Sequence, residues 1–205
     1  MKKALITFII MHCALCIMHC QNIYKFAIDD EINSKTWIYT QEALKEANTL
    51  NPDLIILHLN TYGGEVVYAD SIRTAILRCE TPIVAYIDNN AASAGALISI
   101  ACDRIYMRTG SQIGAATVVN GVDGSKMPDK YQSYMRATMR ATAESHGKDS
   151  LGRWRRDPII AEAMVDESVY IEGVIDTGKI LTFTTKEAIK HRYCEADVTT
   201  LNEVL

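Results

Sequence analysis

Two short runs constrain this chain's fold more than any other feature: Leu54-Ile55-Ile56-Leu57-His58-Leu59 and Ile83-Val84-Ala85-Tyr86-Ile87. Both are almost wholly apolar. A strand that lacks polar alternation is buried on both faces, as central strands of helix-covered parallel sheets are. Between the two runs, residues 65–78 place Val66, Ala69, Ile72, Ile76 and Leu77 on one helical face. Thr81-Pro82 then breaks the helical pattern. An alternating segment, residues 23–28, opens the series, and a helix capped near Ser34 follows it to about Asn48. A short strand at residues 104–107 closes it. Strand, helix, strand, helix, strand implies parallel pairing with right-handed crossovers. The expected class is α/β, a mostly parallel sheet flanked by helices.

Farther on, residues 129–146 read as a helix stopped by Gly147, and residues 158–165 as another. Residues 179–183 read as a late strand, and Thr185-Lys186-Glu187-Ala188 starts a capped helix. At the other end, Lys2 and Lys3 precede an apolar stretch that continues with interruptions to Met18. This pattern is that of a secretory signal peptide or N-terminal anchor over residues 1–20, and residues 21–205 then form one domain. The stretch is shorter than the ~20 apolar residues of a spanning helix. Three of six cysteines, Cys13, Cys16 and Cys20, fall within it; Cys79, Cys102 and Cys194 remain, without metal-ligand spacing. Nothing in the sequence calls for a cofactor or a metal. A net charge of -4 gives no electrostatic reason to expect a nucleic acid partner. The group Arg153, Arg155 and Arg156 reads as a solvated face.

The chemistry concentrates at Ser93. It lies in Ala91-Ala92-Ser93-Ala94-Gly95, between the second apolar run and a helix start. A serine there has its hydroxyl beside free helix amides, which can stabilise an oxyanion. Asn60-Thr61-Tyr62-Gly63-Gly64 follows the other apolar run. Its glycines let backbone amides approach a substrate closely. These features suggest a serine acyl-transfer site.

With Ser111-Gln112-Ile113-Gly114-Ala115, and later Leu181-Thr182 and Glu187-Ala188, these motifs occur in an order that resembles the NfeD (nodulation-efficiency protein D) protease domain. That family belongs to the ClpP/crotonase superfamily and is related to signal peptide peptidase A. The resemblance covers nearly all of the chain beyond residue 20. It implies a spiral of ββα units and a membrane-associated, exported or periplasmic serine endopeptidase. It implies Ser93 as nucleophile, with oxyanion amides from Gly63, Gly64 and Ala94. It also implies peptide or membrane-protein substrates with apolar segments, stomatin-like partners, and a homodimer or higher oligomer.

The general base departs from the family pattern. Counting back from the stop Gly147-Lys148-Asp149 puts the family's lysine position at Arg140. Arginine stays protonated and cannot serve as a base. Lys126, Lys130 and His146 are fallback candidates. Two other readings therefore stay open beside the protease: a peptide-binding pseudoprotease, and a crotonase-type acyl-CoA enzyme, which export disfavours.

Overall fold

The computed structural model of this protein describes residues 22–204. The expected signal or anchor at residues 1–20 lies outside the described residues. No helix among the described residues is long and apolar enough to cross a membrane.

Strand β1 (Ile23–Ile28) is followed by helix α1 (Ser34–Leu50). The cap is Asn33 rather than Ser34: the Asn33 side chain accepts from the amides of Lys35 and Thr36. Thr36, Thr40, Ala43 and Ala47 form the buried face, small enough to let the helix lie close to the sheet. Strand β2 (Leu54–Thr61), helix α2 (Val66–Leu77) and strand β3 (Ile83–Ala92) follow. Next come α3 (Ala94–Ala101), β4 (Arg104–Met107) and β5 (Gln112–Gly114). All eight residues of α3 are buried, in keeping with a sequence apolar all round. Helix α4 (Asp129–Glu144), α5 (Pro158–Ala163), β6 (Thr182–Thr184) and α6 (Thr185–Lys190) complete the main elements. Helix α6 is capped, as expected, and the cap is a capping box between Thr184 and Glu187.

The sheet order is β1-β2-β3-β5-β6, with β4 also paired to β3. All pairings are parallel except β5 with β6, which is antiparallel. Side chains alternate between the faces of β2. Ile55, Leu57 and Leu59 join the main core, whereas Ile56 joins a smaller cluster with Tyr86 and Val198 on the other face. The C-terminal segment covers that second face, running beside β4 through Glu195 N–H to Ile105 O and Val198 N–H to Met107 O.

Strand β3 is longer than its apolar run, continuing through Asn90 to Ala92. The register moves from Leu59↔Ile87 to Thr61↔Ala91, so residues 88–90 stand opposite Asn60 alone. Side chains stitch this bulge. Asn60 Nδ2 donates to Asp29 (2.7 Å), Asn60 Oδ1 accepts from Asn90 N–H (3.3 Å), and Gln112 Nε2 donates to Asn90 Oδ1 (2.8 Å). The bulge delivers the end of β3 to Ser93.

The solvated-face reading of the arginine group needs one correction. Arg153 and Arg155 are exposed, but Arg156 is buried. Its guanidinium donates to the carbonyls of Ile100, Cys102 and Asp103. A cation there satisfies the acceptors left at the end of α3 and complements the helix dipole.

Candidate active site

Ser93 joins β3 to α3 with φ 53° and ψ -116°. Residues with a Cβ seldom adopt this conformation, and it persists only where the surroundings enforce it. Here Ser93 N–H donates to Gly114 O (2.8 Å), and Ser93 O accepts from Ala96 N–H (3.0 Å). The serine is half-buried, and its hydroxyl makes no capping bond. The side chain is therefore presented at the helix N-terminus without being committed to it. The Ala94 amide, in the first turn, has no acceptor among the described residues.

The diglycine turn meets Ser93 directly. A Cβ on Gly63, which has φ +111°, would lie 2.7 Å from Ser93 Cβ and 3.2 Å from Ser93 Oγ. Only glycine leaves that space open. On the other side Ile32 anchors the turn: Ile32 N–H donates to Gly63 O (2.8 Å), and Glu65 N–H donates to Ile32 O (2.8 Å). In a trans peptide the carbonyl and the following amide point in opposite directions. With Gly63 O facing Ile32, the Gly64 N–H faces away from it, and it has no acceptor among the described residues. The Gly63 amide differs, because it donates to Thr61 Oγ1 (3.1 Å). Of the three expected oxyanion residues, Gly64 and Ala94 thus carry unpartnered amides in the resting structure. Gly63 supplies the close approach, and its amide is engaged. A cavity of about 530 Å³ opens along this turn, lined by Asp29, Glu31, Tyr62, Gly63 and Gly64 among others.

The candidates for the base separate clearly. Arg140 forms an ion pair with Glu162 on α5. No hydrogen bond among the described residues links it to Ser93. Lys126 pairs with Glu167 (2.9 Å). His146 Nε2 lies 2.7 Å from Ile100 O. Ile100 is about 10 Å along the α3 axis from Ser93, at 1.5 Å per residue. Burial, reinforced by Arg156, lowers the His146 pKa to about 4. Lys130 sits in the first turn of α4 with its ammonium 4.8 Å from the centre of the Tyr131 ring. No carboxylate among the described residues pairs with it. Gln132 exchanges hydrogen bonds with the Val118 amide (3.0 Å) and carbonyl (2.7 Å), four residues beyond the Gly114 carbonyl that receives Ser93 N–H.

Sequence reasoning missed Thr61 and Ile32 as parts of this site. Neither carries a reactive group; their contribution comes from pairing across strands. The length of β3 and the three-residue β5 were also not legible.

The sequence profile of the NfeD1b N-terminal domain matches residues 22–205. The chain is 31% identical over 186 residues to the membrane protein NfeD1b of Bacillus subtilis (strain 168), covering 90% of this chain and 40% of that protein. It is 27% identical over 213 residues to the membrane-bound protease PH1510 of Pyrococcus horikoshii, covering 100% of this chain and 44% of that protein. The chain therefore spans less than half the length of either curated relative. Among solved structures it is similar to the 1510-N membrane-bound stomatin-specific protease in two variants. A serine-to-alanine variant gives a TM-score of 0.75 at 25% identity, over 90% of this chain and 83% of that one. A lysine-to-alanine variant in complex with a substrate peptide gives 0.76 at 25% identity, over 91% and 80%. ClpP1 from Listeria monocytogenes gives 0.60 at 16% identity, over 89% and 95%. The last likeness concerns the fold alone, and the fold is ClpP-like.

Proposed function

The chain belongs to the NfeD1b N-terminal domain family, and from that premise we propose that it is a serine endopeptidase acting at a membrane. Ser93 attacks the peptide carbonyl through Oγ. The oxyanion is held by the Ala94 amide together with the diglycine turn, where the Gly64 amide is the unpartnered donor. Donors preorganised in this way contribute ~3 to 4 kcal/mol to acyl transfer. The observation that carries the reading is the close approach of Gly63 to the Ser93 hydroxyl in a strained strand-to-helix turn.

For the base we infer Lys130. Arg140 cannot take a proton and is held by Glu162. Lys126 is paired with Glu167, and His146 is at the far end of α3. A lysine acts as a base where desolvation favours its neutral form. In this reading a bound peptide covers the site, and Lys130 takes the Ser93 proton as Oγ attacks. It returns that proton to the leaving amine. Water then releases the acyl group from Ser93.

The solved relative bears a stomatin-specific name, which supports stomatin-like membrane proteins as substrates. Residues 1–20 serve as an export signal or anchor, residues 21–205 form the protease domain, and copies associate as dimers or larger oligomers. A second reading, a peptide-binding pseudoprotease, is favoured by one fact: no basic group among the described residues is hydrogen-bonded to Ser93 Oγ.

The test compares cleavage of a peptide library by the parent, Ser93→Ala and Lys130→Ala. Turnover lost in both variants supports the mechanism. Turnover retained in Lys130→Ala removes that residue from it. A parent that binds peptides without cutting them supports the pseudoprotease.

A further inference from the structure

We propose that Thr61 is a positioning residue for the oxyanion turn: its hydroxyl holds the Gly63 amide and so sets the diglycine backbone against Ser93. The inference rests on the serine-hydrolase reading of the site.

Thr61 ends β2, is 2% exposed, and pairs with Ala91 on the strand that leads to the serine. Its two side-chain branches face different halves of the site. Oγ1 accepts the Gly63 N–H at 3.1 Å. Cγ2 lies 2.7 Å from where a Cβ on Gly95 would stand, so the methyl fills the space left by glycine in the first turn of α3. A β-branched side chain has few χ1 choices, so each contact constrains the other. Thr61 thus couples the turn that carries one oxyanion amide to the helix that carries the other.

The turn has little else to define it. Neither glycine has a side chain, and both have positive φ. The Gly63–Gly64 peptide is held through its carbonyl, which accepts from Ile32 N–H (2.8 Å) and at longer range from Thr61 Oγ1 (3.4 Å). The preceding peptide is fixed through its amide by the Thr61 hydroxyl. Removing the hydroxyl leaves the Gly63 amide without its acceptor and leaves the Gly63 carbonyl to Ile32 N–H. Misplacement of positioned groups by about 1 Å can cost on the order of 100-fold in rate. A turn still held by Ile32 should lose less.

The experiment uses the full chain with Thr61→Val, which keeps a methyl beside Gly95 and removes the hydroxyl. Thr61→Ser does the reverse. Expected for Thr61→Val are a kcat about tenfold lower, KM within about twofold, and slower labelling of Ser93 by a fluorophosphonate. Thr61→Ser should restore most of both rates. Hydrogen exchange at the Gly63 amide, followed by NMR, should accelerate about fivefold or more in Thr61→Val and stay near the parent rate in Thr61→Ser. The exchange readout requires no turnover, so it decides the hydroxyl-to-amide contact even if the parent cuts no peptide. A parent as inert as Ser93→Ala, with exchange behaving as stated, would count against the hydrolase reading while leaving the positioning contact intact. Unchanged exchange in Thr61→Val would overturn the proposal. So would loss of rate in Thr61→Ser with Thr61→Val near the parent, which would assign the effect to the methyl packed on Gly95. A faster Thr61→Val would overturn it too, by showing that the hydroxyl obstructs the amide.

Discussion

Replacing Ser93 with glycine should stabilise the fold while abolishing the chemistry. With φ 53° and ψ -116°, Ser93 holds a conformation that a Cβ disfavours. Such residues store about 1 to 3 kcal/mol. Glycine releases that strain, but its greater freedom in the unfolded chain takes back about 0.4 to 1 kcal/mol. The Ser93 hydroxyl makes no capping bond, so little else is lost. The net expectation is about 1 to 2 kcal/mol in favour of Ser93→Gly. Each kcal/mol corresponds to about 2 to 4 °C in Tm for a domain of this size. Ser93→Ala is the matched control, because it removes Oγ and keeps Cβ; its stability should stay within about 0.5 kcal/mol of the parent. Urea unfolding and thermal melts of all three proteins make the comparison, with loss of peptide turnover in both variants as the companion readout. Equal stability of Ser93→Gly and Ser93→Ala would refute the strain argument, since these variants differ only in Cβ.

Gly63→Ala should lower turnover on the order of 100-fold or more, because its Cβ would lie 2.7 Å from that of Ser93; steady-state kinetics beside a melt separates this from unfolding. His146 should make the fold acid-sensitive. Burial lowers its pKa from 6.5 to about 4, so between those values the unfolded chain binds a proton that the native state does not. Stability therefore rises with pH across that window and is lost on acidification from its upper to its lower end. His146→Gln, followed by urea titrations at several pH values, should flatten this part of the profile.

Much of the scaffold was legible in the chain itself. The ends of β1 and β4 agree with the alternating segment at residues 23–28 and the short strand at residues 104–107. The capped start of α6 agrees with the helix start read at Thr185-Lys186-Glu187-Ala188. These features depend on neighbours within a few positions, so local pattern determines them. The continuation of β3 was not legible, since the apolar run ends at Ile87 and the next residues, Asp88-Asn89-Asn90, are polar. It becomes strand because Asn60 and Gln112 satisfy its buried polar groups across the sheet. Strand β5 has only three residues and ends in glycine, and its pairing with β3 defines it. Arg156 resembles its exposed neighbours in sequence, and only the end of α3 selects it for burial.

By itself, the sequence determined the alternation of strands and helices, the order of the motifs, and the choice of Ser93 and the diglycine turn as the candidate site. Those properties lie in periodicity and in residues adjacent along the chain. The tertiary structure alone decided which amides around Ser93 are unpartnered and which arginine is buried. It also decided that Arg140 is held by Glu162 and that Thr61 touches both halves of the site. Each of these follows from register between segments distant in the chain, where a hydrogen bond made elsewhere removes a donor or a charge from the chemistry.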